Sequence, residues 1–178
     1  MSEIRIAKRY ADALMDLSLE KNLMEEVFQN AEFIKRACNS NRDLSLMINS
    51  PIVKGDAKQR VLNKVFNGKI NEISLHFINL LIRKRRETYL IPALDQFIQT
   101  YKRKKGIVDA YIQSSVSIPE SLKEKIKGMI KGDHYKEVNL HEEIKEDLIG
   151  GFILRIDDKL IDNSVSSQLK RLQKSLLN

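Results

Sequence analysis

A single cysteine, Cys38, stands in a chain of 178 residues. One thiol cannot build a disulfide framework or a Cys-rich zinc site. No apolar run approaches the roughly 18 residues that a membrane span requires. The first ten residues, MSEIRIAKRY, mix acidic and basic side chains, which fits neither a signal peptide nor an Arg/Ser-rich transit peptide. There is no Gly-rich loop followed by Lys-Ser or Lys-Thr, so a P-loop is excluded. His76, His134 and His141 are far apart, and none has a second ligand at metal spacing. What remains is a chain of 42% hydrophobic content that can bury a core. A soluble cytosolic protein of one or two domains is expected.

The formal net charge of +7 is unevenly spread: residues 1–106 carry +8 and residues 107–178 carry −1. Two runs, Arg83-Lys84-Arg85-Arg86 and Lys102-Arg103-Lys104-Lys105, supply much of the excess. Such runs can form a nucleic-acid patch. They also suit helix ends, where cations meet the negative end of the macrodipole. Neither run is interleaved with aromatic side chains for base stacking, which favours the helix-end reading.

Residues 1–106 read as six helices. Ile4, Ala7, Ala11, Leu14 and Ser18 recur at three and four, with Tyr10, Ala13 and Leu17 beside them; Met24, Val27, Ala31, Ile34 and Cys38 repeat the pattern. A short helix over 44–49 stops at Pro51. The next, over 54–66, places Ala57, Val61 and Val65 on one face and ends near Gly68. Asn71 caps the fifth. That fifth helix has apolar residues on two sides: Ile73, Phe77, Leu80 and Leu81 on one, Leu75, Ile78 and Ile82 on the other. A surface helix needs one stripe, so this helix is either central or covered by a partner. The sixth starts near Pro92, buries Leu94, Phe97, Ile98 and Tyr101, and ends in the second basic run and Gly106.

After Gly106 the period changes from helical to alternating. A strand is expected over 107–113, a helix opening at Ser117-Ile118-Pro119-Glu120 and running to about Lys131, and a turn at Gly132-Asp133. A second strand follows over 137–142. Residues 148–156 and 160–161 read as a hairpin around Asp157-Asp158-Lys159, and Ser164 caps a final helix with Val165, Leu169, Leu172 and Leu176 on one face. The fold class is therefore an N-terminal all-α six-helix bundle (1–106) followed by a small α+β C-terminal domain (107–178), with the seam at Lys105–Ile107.

Catalytic chemistry has little to stand on. Gly150-Gly151 precedes a strand rather than a helix, the wrong context for phosphate, and reads as a bend. Glu142-Glu143 and Asp157-Asp158 are pairs by sequence only, and Cys38 lies on a buried stripe. No catalytic residue, cofactor or metal ligand is expected. Of the surface signals, the basic runs leave open a nucleic-acid-binding adaptor, and the over-apolar fifth helix leaves open a central place in the bundle or a partner over its second face.

Taken together, four segments resemble one family. Ala7-Lys8-Arg9-Tyr10-Ala11-Asp12-Ala13-Leu14 resembles the A-x-R-Y-A-x-A-L/F opening of the F-type ATP synthase delta subunit, the relative of the mitochondrial oligomycin-sensitivity-conferring protein. Pro51 with Lys58 and Leu62, and Phe77–Ile82 with Arg86, are similar to two further segments. Leu148-Ile149-Gly150-Gly151-Phe152 with Ile161-Asp162-Asn163-Ser164-Val165 and Leu169 is similar to the L-I-G-G…I-D-G-S-V…L signature. Asn163 stands where the family usually has Gly, and Asn tolerates the left-handed turn that Gly would suit. The resemblance implies a non-catalytic stator subunit on the cytoplasmic face of a bacterial inner membrane, associated with the membrane only through the complex. Its helical bundle would bind the N-terminal helix of an alpha subunit on the catalytic head, and its C-terminal domain the b subunits of the peripheral stalk. It carries Tyr10 and Ala13 into a groove between the first and fifth helices, with Ile6, Leu14, Phe77, Ile78, Leu81 and Ile82 as inferred neighbours. Gly150, Gly151, Asp162, Asn163 and Ser164 carry the structural motif.

Overall fold

The computed structural model describes residues 3–132, 135–157 and 159–176. His134, Asp133 of the expected turn, Asp158 and the side chain of Leu176 lie outside the described residues. The chain divides into two compact units, Met1–Tyr101 and Lys102–Asn178. The division falls slightly before the expected seam because the last turn of the sixth helix is already tied to the following strand: the Lys102 ammonium donates to Asp109 Oδ2 at 2.6 Å.

The first unit is built from α1 (Glu3–Glu20), α2 (Met24–Ser40), α3 (Arg42–Asn49), α4 (Gly55–Phe66), α5 (Glu72–Arg83) and α6 (Leu90–Lys105). Ala7, Ala11, Leu14 and Ser18 are buried on α1, and Val27, Ala31, Ile34 and Cys38 on α2. Ile4 is exposed, so the α1 stripe begins at Ala7. Burial pushes the Cys38 thiol up to about 11, which leaves it an inert core group. Leu94, Phe97, Ile98 and Tyr101 are buried on α6, and the Tyr101 ring stacks on Phe28 with centroids 4.1 Å apart. The Tyr101 hydroxyl donates to Glu25.

On α4 the buried face is not the expected one. Lys58, Leu62 and Phe66 face the core, while Val61 is exposed and Ala57 and Val65 are half-buried. The face turned by one residue because Lys58 has partners inside: its ammonium donates to the Ile48 carbonyl at 2.8 Å and to Glu87 Oε1 at 2.5 Å. Glu87 stands in a 3₁₀ turn, Glu87–Tyr89, between α5 and α6. The Lys58 contacts therefore tie the end of α3 and this turn to the start of α4.

The second unit contains β1 (Ile107–Ser114), α7 (Glu120–Lys131), β2 (Glu137–Ile144), β3 (Phe152–Ile156), β4 (Lys159–Asp162) and α8 (Val165–Leu176). The sheet order is β2-β1-β3-β4, with β1 parallel to β2 and antiparallel to β3. α7 is the crossover that a parallel pair requires. Ala110 and Ile112 of β1, Leu154 of β3 and Ile118 and Ile126 form the core cluster under one face of the sheet. Residues 148–151 are not strand, contrary to the hairpin expected there. Leu148 ends a 3₁₀ turn, and Ile149 (φ 64°) and Gly151 (φ 78°) adopt left-handed conformations that no strand contains. The chain bends at Gly150-Gly151, and β3 begins at Phe152.

Candidate functional site: an apolar groove between the first and fifth helices

In α1, Tyr10, Ala13, Leu14 and Leu17 follow one another at three and four, and so share a face. In α5, Ile73, His76, Phe77, Leu80 and Arg83 do the same. The two faces line one open groove of about 1270 Å³. Its other wall is the α3–α4 loop, Asn49 to Val53, with Lys54 and Gly55 at the start of α4. Tyr10 and Phe77 meet edge to face across it, ring centroids 6.4 Å apart. Ile73 to Arg83 spans about 15 Å along the α5 axis, roughly three helical turns.

The sequence-derived residues separate into two sets. Tyr10, Ala13, Leu14, Phe77 and Ile82 line the groove. Ile78 and Leu81 have no exposed surface and support it from inside the bundle, and Ile6 is half-buried outside the lining. The lining residues not expected from the sequence include Leu17, Ile73, His76, Leu80, the α3–α4 loop, the carboxylates Asp56 and Glu87, and the cations Lys54, Lys58, Arg83 and Arg85. Continuing the Tyr10–Leu14 stripe by one step would have found Leu17, and the Phe77 stripe extended both ways would have found Ile73, Leu80 and Arg83.

The end of α5 is closed by paired backbone bonds. The Arg85 N–H donates to the Ile82 carbonyl at 2.9 Å and the Arg86 N–H to the Leu81 carbonyl at 2.8 Å. This is a Schellman cap, whose left-handed residue is usually Gly. Here it is Arg85, at φ 54°. A non-glycine residue there costs about 1 kcal/mol.

The C-terminal motif forms a second built feature. A Cβ on Gly151 would lie 2.2 Å from the Asn163 carbonyl oxygen, and one on Gly150 would lie 3.2 Å from Val165 Cγ2. Asn163 is not left-handed, contrary to expectation. Its N–H donates to the Phe152 carbonyl at 3.0 Å and keeps the chain extended past β4, so the demanding position is Gly151. Asp162 Oδ2 accepts from the Ser167 hydroxyl at 2.6 Å, and Oδ1 from the Ser164 N–H at 3.0 Å and hydroxyl at 2.8 Å. These donors hold the Asp162 carboxyl down at about 2. Ser164 Oγ in turn accepts from the Ser167 N–H at 3.3 Å, which makes it the N-cap of α8.

Neither feature is catalytic in form. Among the described residues no group of three or more His, Cys, Asp or Glu could hold a metal ion, and no helix is long and apolar enough to cross a membrane. The second basic run is partly committed, through Lys102 to Asp109, and the neighbouring Tyr101 ring is buried against Phe28.

The family model for the ATP synthase delta (OSCP) subunit matches residues 6–176. The chain is 30% identical over 174 residues to the ATP synthase subunit delta of Amoebophilus asiaticus, covering 97% of this chain and 95% of that one. It is 32% identical over 173 residues to that of Cytophaga hutchinsonii, covering 97% and 94%. The fold is shared with a chain of the Toxoplasma gondii mitochondrial ATP synthase hexamer, at a TM-score of 0.77, 23% identity and 97% coverage of both chains. This full-length match, rather than the basic runs, decides the function. The chain belongs to the ATP synthase delta (OSCP) subunit family and is a non-catalytic stator subunit of the F-type ATP synthase.

Proposed function

We propose that the α1/α5 groove receives the N-terminal helix of an alpha subunit of the catalytic head, and that the C-terminal unit holds the end of the b subunits of the peripheral stalk. The chain then works as a link in series between head and stalk, on the cytoplasmic face of a bacterial inner membrane, with no membrane contact of its own. The observation that carries the reading is the groove between two facing stripes, Tyr10-Ala13-Leu14-Leu17 and Ile73-Phe77-Leu80, in which Leu14 and Phe77 are buried, Tyr10, Ile73 and Leu80 half-buried, and Ala13 and Leu17 exposed. Amphipathic helices dock into grooves of this kind through anchors at three, four and seven. Each large apolar anchor buried there contributes roughly 1.5–3 kcal/mol, so a few suffice for tight binding. Ala13 is exposed and small, which lets a partner backbone approach closely. On the C-terminal unit the exposed apolar side chains Leu160, Ile161, Val165 and Leu169 support the hairpin and α8 as the stalk contact.

Calorimetric titration of the full chain with a peptide of the cognate alpha-subunit N-terminus tests the groove. Saturable binding that is abolished by Ala13→Asp is expected. No binding, or binding indifferent to Ala13→Asp, rejects the assignment.

A further inference from the structure

The groove is not chemically uniform along its length. Its α5 face passes from Ile73 through Phe77 and Leu80 to Arg83, and Arg85 and Lys54 line the same space. Arg83, Arg85 and Lys54 are exposed, and none of them forms an ion pair among the described residues. Among the described residues, neither of the two carboxylates in the lining forms an ion pair with them. Glu87 is engaged with Lys58 at 2.5 Å, and Asp56 sits in the first turn of α4, where the helix N-terminus favours it. One end of the groove is therefore mainly apolar, with the exposed His76 as its polar member, and the other carries more positive than negative charge. Backbone geometry adds an independent observation. Arg85 occupies the left-handed cap position, φ 54°, where glycine is the cheaper residue. An arginine held in a disfavoured conformation at the rim of a groove is the pattern of a residue kept for its charge.

We infer that the partner helix carries carboxylates as well as an apolar stripe, and that one or more Asp or Glu side chains at one end of it pair with Arg83, Arg85 and Lys54. The inference rests on the groove reading above and adds the chemistry of the ligand's end. Apolar anchors set how tightly the segment sits. The charged end selects which amphipathic helix is accepted and in which direction, because a reversed helix would place its apolar side chains against the cations.

The test uses the full chain and two probes: the cognate alpha-subunit N-terminal peptide, and the same peptide with every Asp and Glu replaced by Asn and Gln. Both are titrated against the wild type and the Arg83→Gln/Arg85→Gly variant, at low and at physiological salt. The native peptide is expected to bind the wild type about tenfold more tightly than the amidated one, to weaken with salt, and to lose that advantage on the variant. Arg85→Gly relieves the left-handed strain, so that substitution alone should weaken binding while leaving the melting temperature equal or higher. Weaker binding in a more stable protein reports lost charge and not lost fold. Equal binding of the two peptides to the wild type, or an unchanged native-peptide affinity on the variant, overturns the inference while Ala13→Asp still reports on the groove. If neither peptide binds the wild type, the groove reading and this inference fall together.

Discussion

At Gly151 the cost of a single carbon can be read directly. A Cβ there would stand 2.2 Å from a backbone carbonyl oxygen, which cannot swing aside, and the residue's φ of 78° is one that L side chains rarely adopt. Gly150, next in line, would only press 3.2 Å against a Val165 methyl group that can give by a few tenths of an ångström. Gly151→Ala is therefore expected to destabilise the C-terminal unit by more than about 2 kcal/mol, and Gly150→Ala by about 1 kcal/mol or less. Urea unfolding followed by hydrogen exchange in residues 107–176 measures both. Equal costs at the two glycines would mean that the Asn163 carbonyl does not pin the bend. The motif was legible in the sequence as a glycine pair at a bend. Which glycine is indispensable was not, because that depends on a carbonyl brought over from Asn163, twelve positions along the chain.

Among the elements, α4 shows where sequence periodicity misleads. Its pattern points to Ala57, Val61 and Val65, yet the helix buries Lys58, Leu62 and Phe66. Hydropathy treats a lysine as a surface residue, whereas this one is 1% exposed and anchored to Glu87. Breaking such a pair from one side strands a buried charge at a cost of about 3–5 kcal/mol, while replacing both partners with apolar groups is often neutral. Glu87→Ala is thus expected to lower stability by that amount, and Lys58→Met/Glu87→Leu to recover most of it, as read from chemical denaturation. A double variant as unstable as the single would show that the pair itself, and not the uncompensated charge, holds α3, α4 and the Glu87–Tyr89 turn. The six helices, the strand–helix–strand–hairpin–helix order and the Asn71 and Ser164 caps were all legible, because each has a local signal. The groove was half legible. An apolar excess on α5 shows in the sequence, but whether Ile78 and Leu81 or Ile73 and Leu80 face outward depends on how the helix is rolled against its neighbours, and local periodicity does not fix that roll.

For the molecule as a whole, the two units are expected to respond differently to acid. The first has a large apolar core, with Ile34, Ile48, Leu62, Phe66, Ile78, Leu81, Leu90, Leu94 and Phe97 all at 2% exposure or less. The second gathers five buried residues under one sheet face and is tied together by carboxylates. Asp162 is held at about 2, first by the Ser167 hydroxyl and then by Ser164. Glu142 is held below its ordinary value by Lys123 and by the Ile118 N–H, which it accepts at 2.6 Å. Burial opposes ionisation of Asp109, but hydrogen bonds from Lys102 and Asn139 outweigh it and lower its pKa as well. A carboxylate with a depressed folded-state pKa stabilises fully above its unfolded value, near 4, and ceases to do so as pH falls through the folded value. The stabilisation from these groups is thus complete at pH 5 and lost progressively toward about pH 2. Region-resolved hydrogen exchange on the full chain over that range should show residues 107–176 losing protection before residues 3–101. Asp162→Asn should flatten part of that dependence, since an amide does not titrate. If the helical unit opens first, or if Asp162→Asn leaves the acid transition of the C-terminal unit unchanged, then the Asp162 ring of donors is not what holds α8 to the Gly150-Gly151 bend. The surface proposed for the stalk would then have to be stabilised by packing alone.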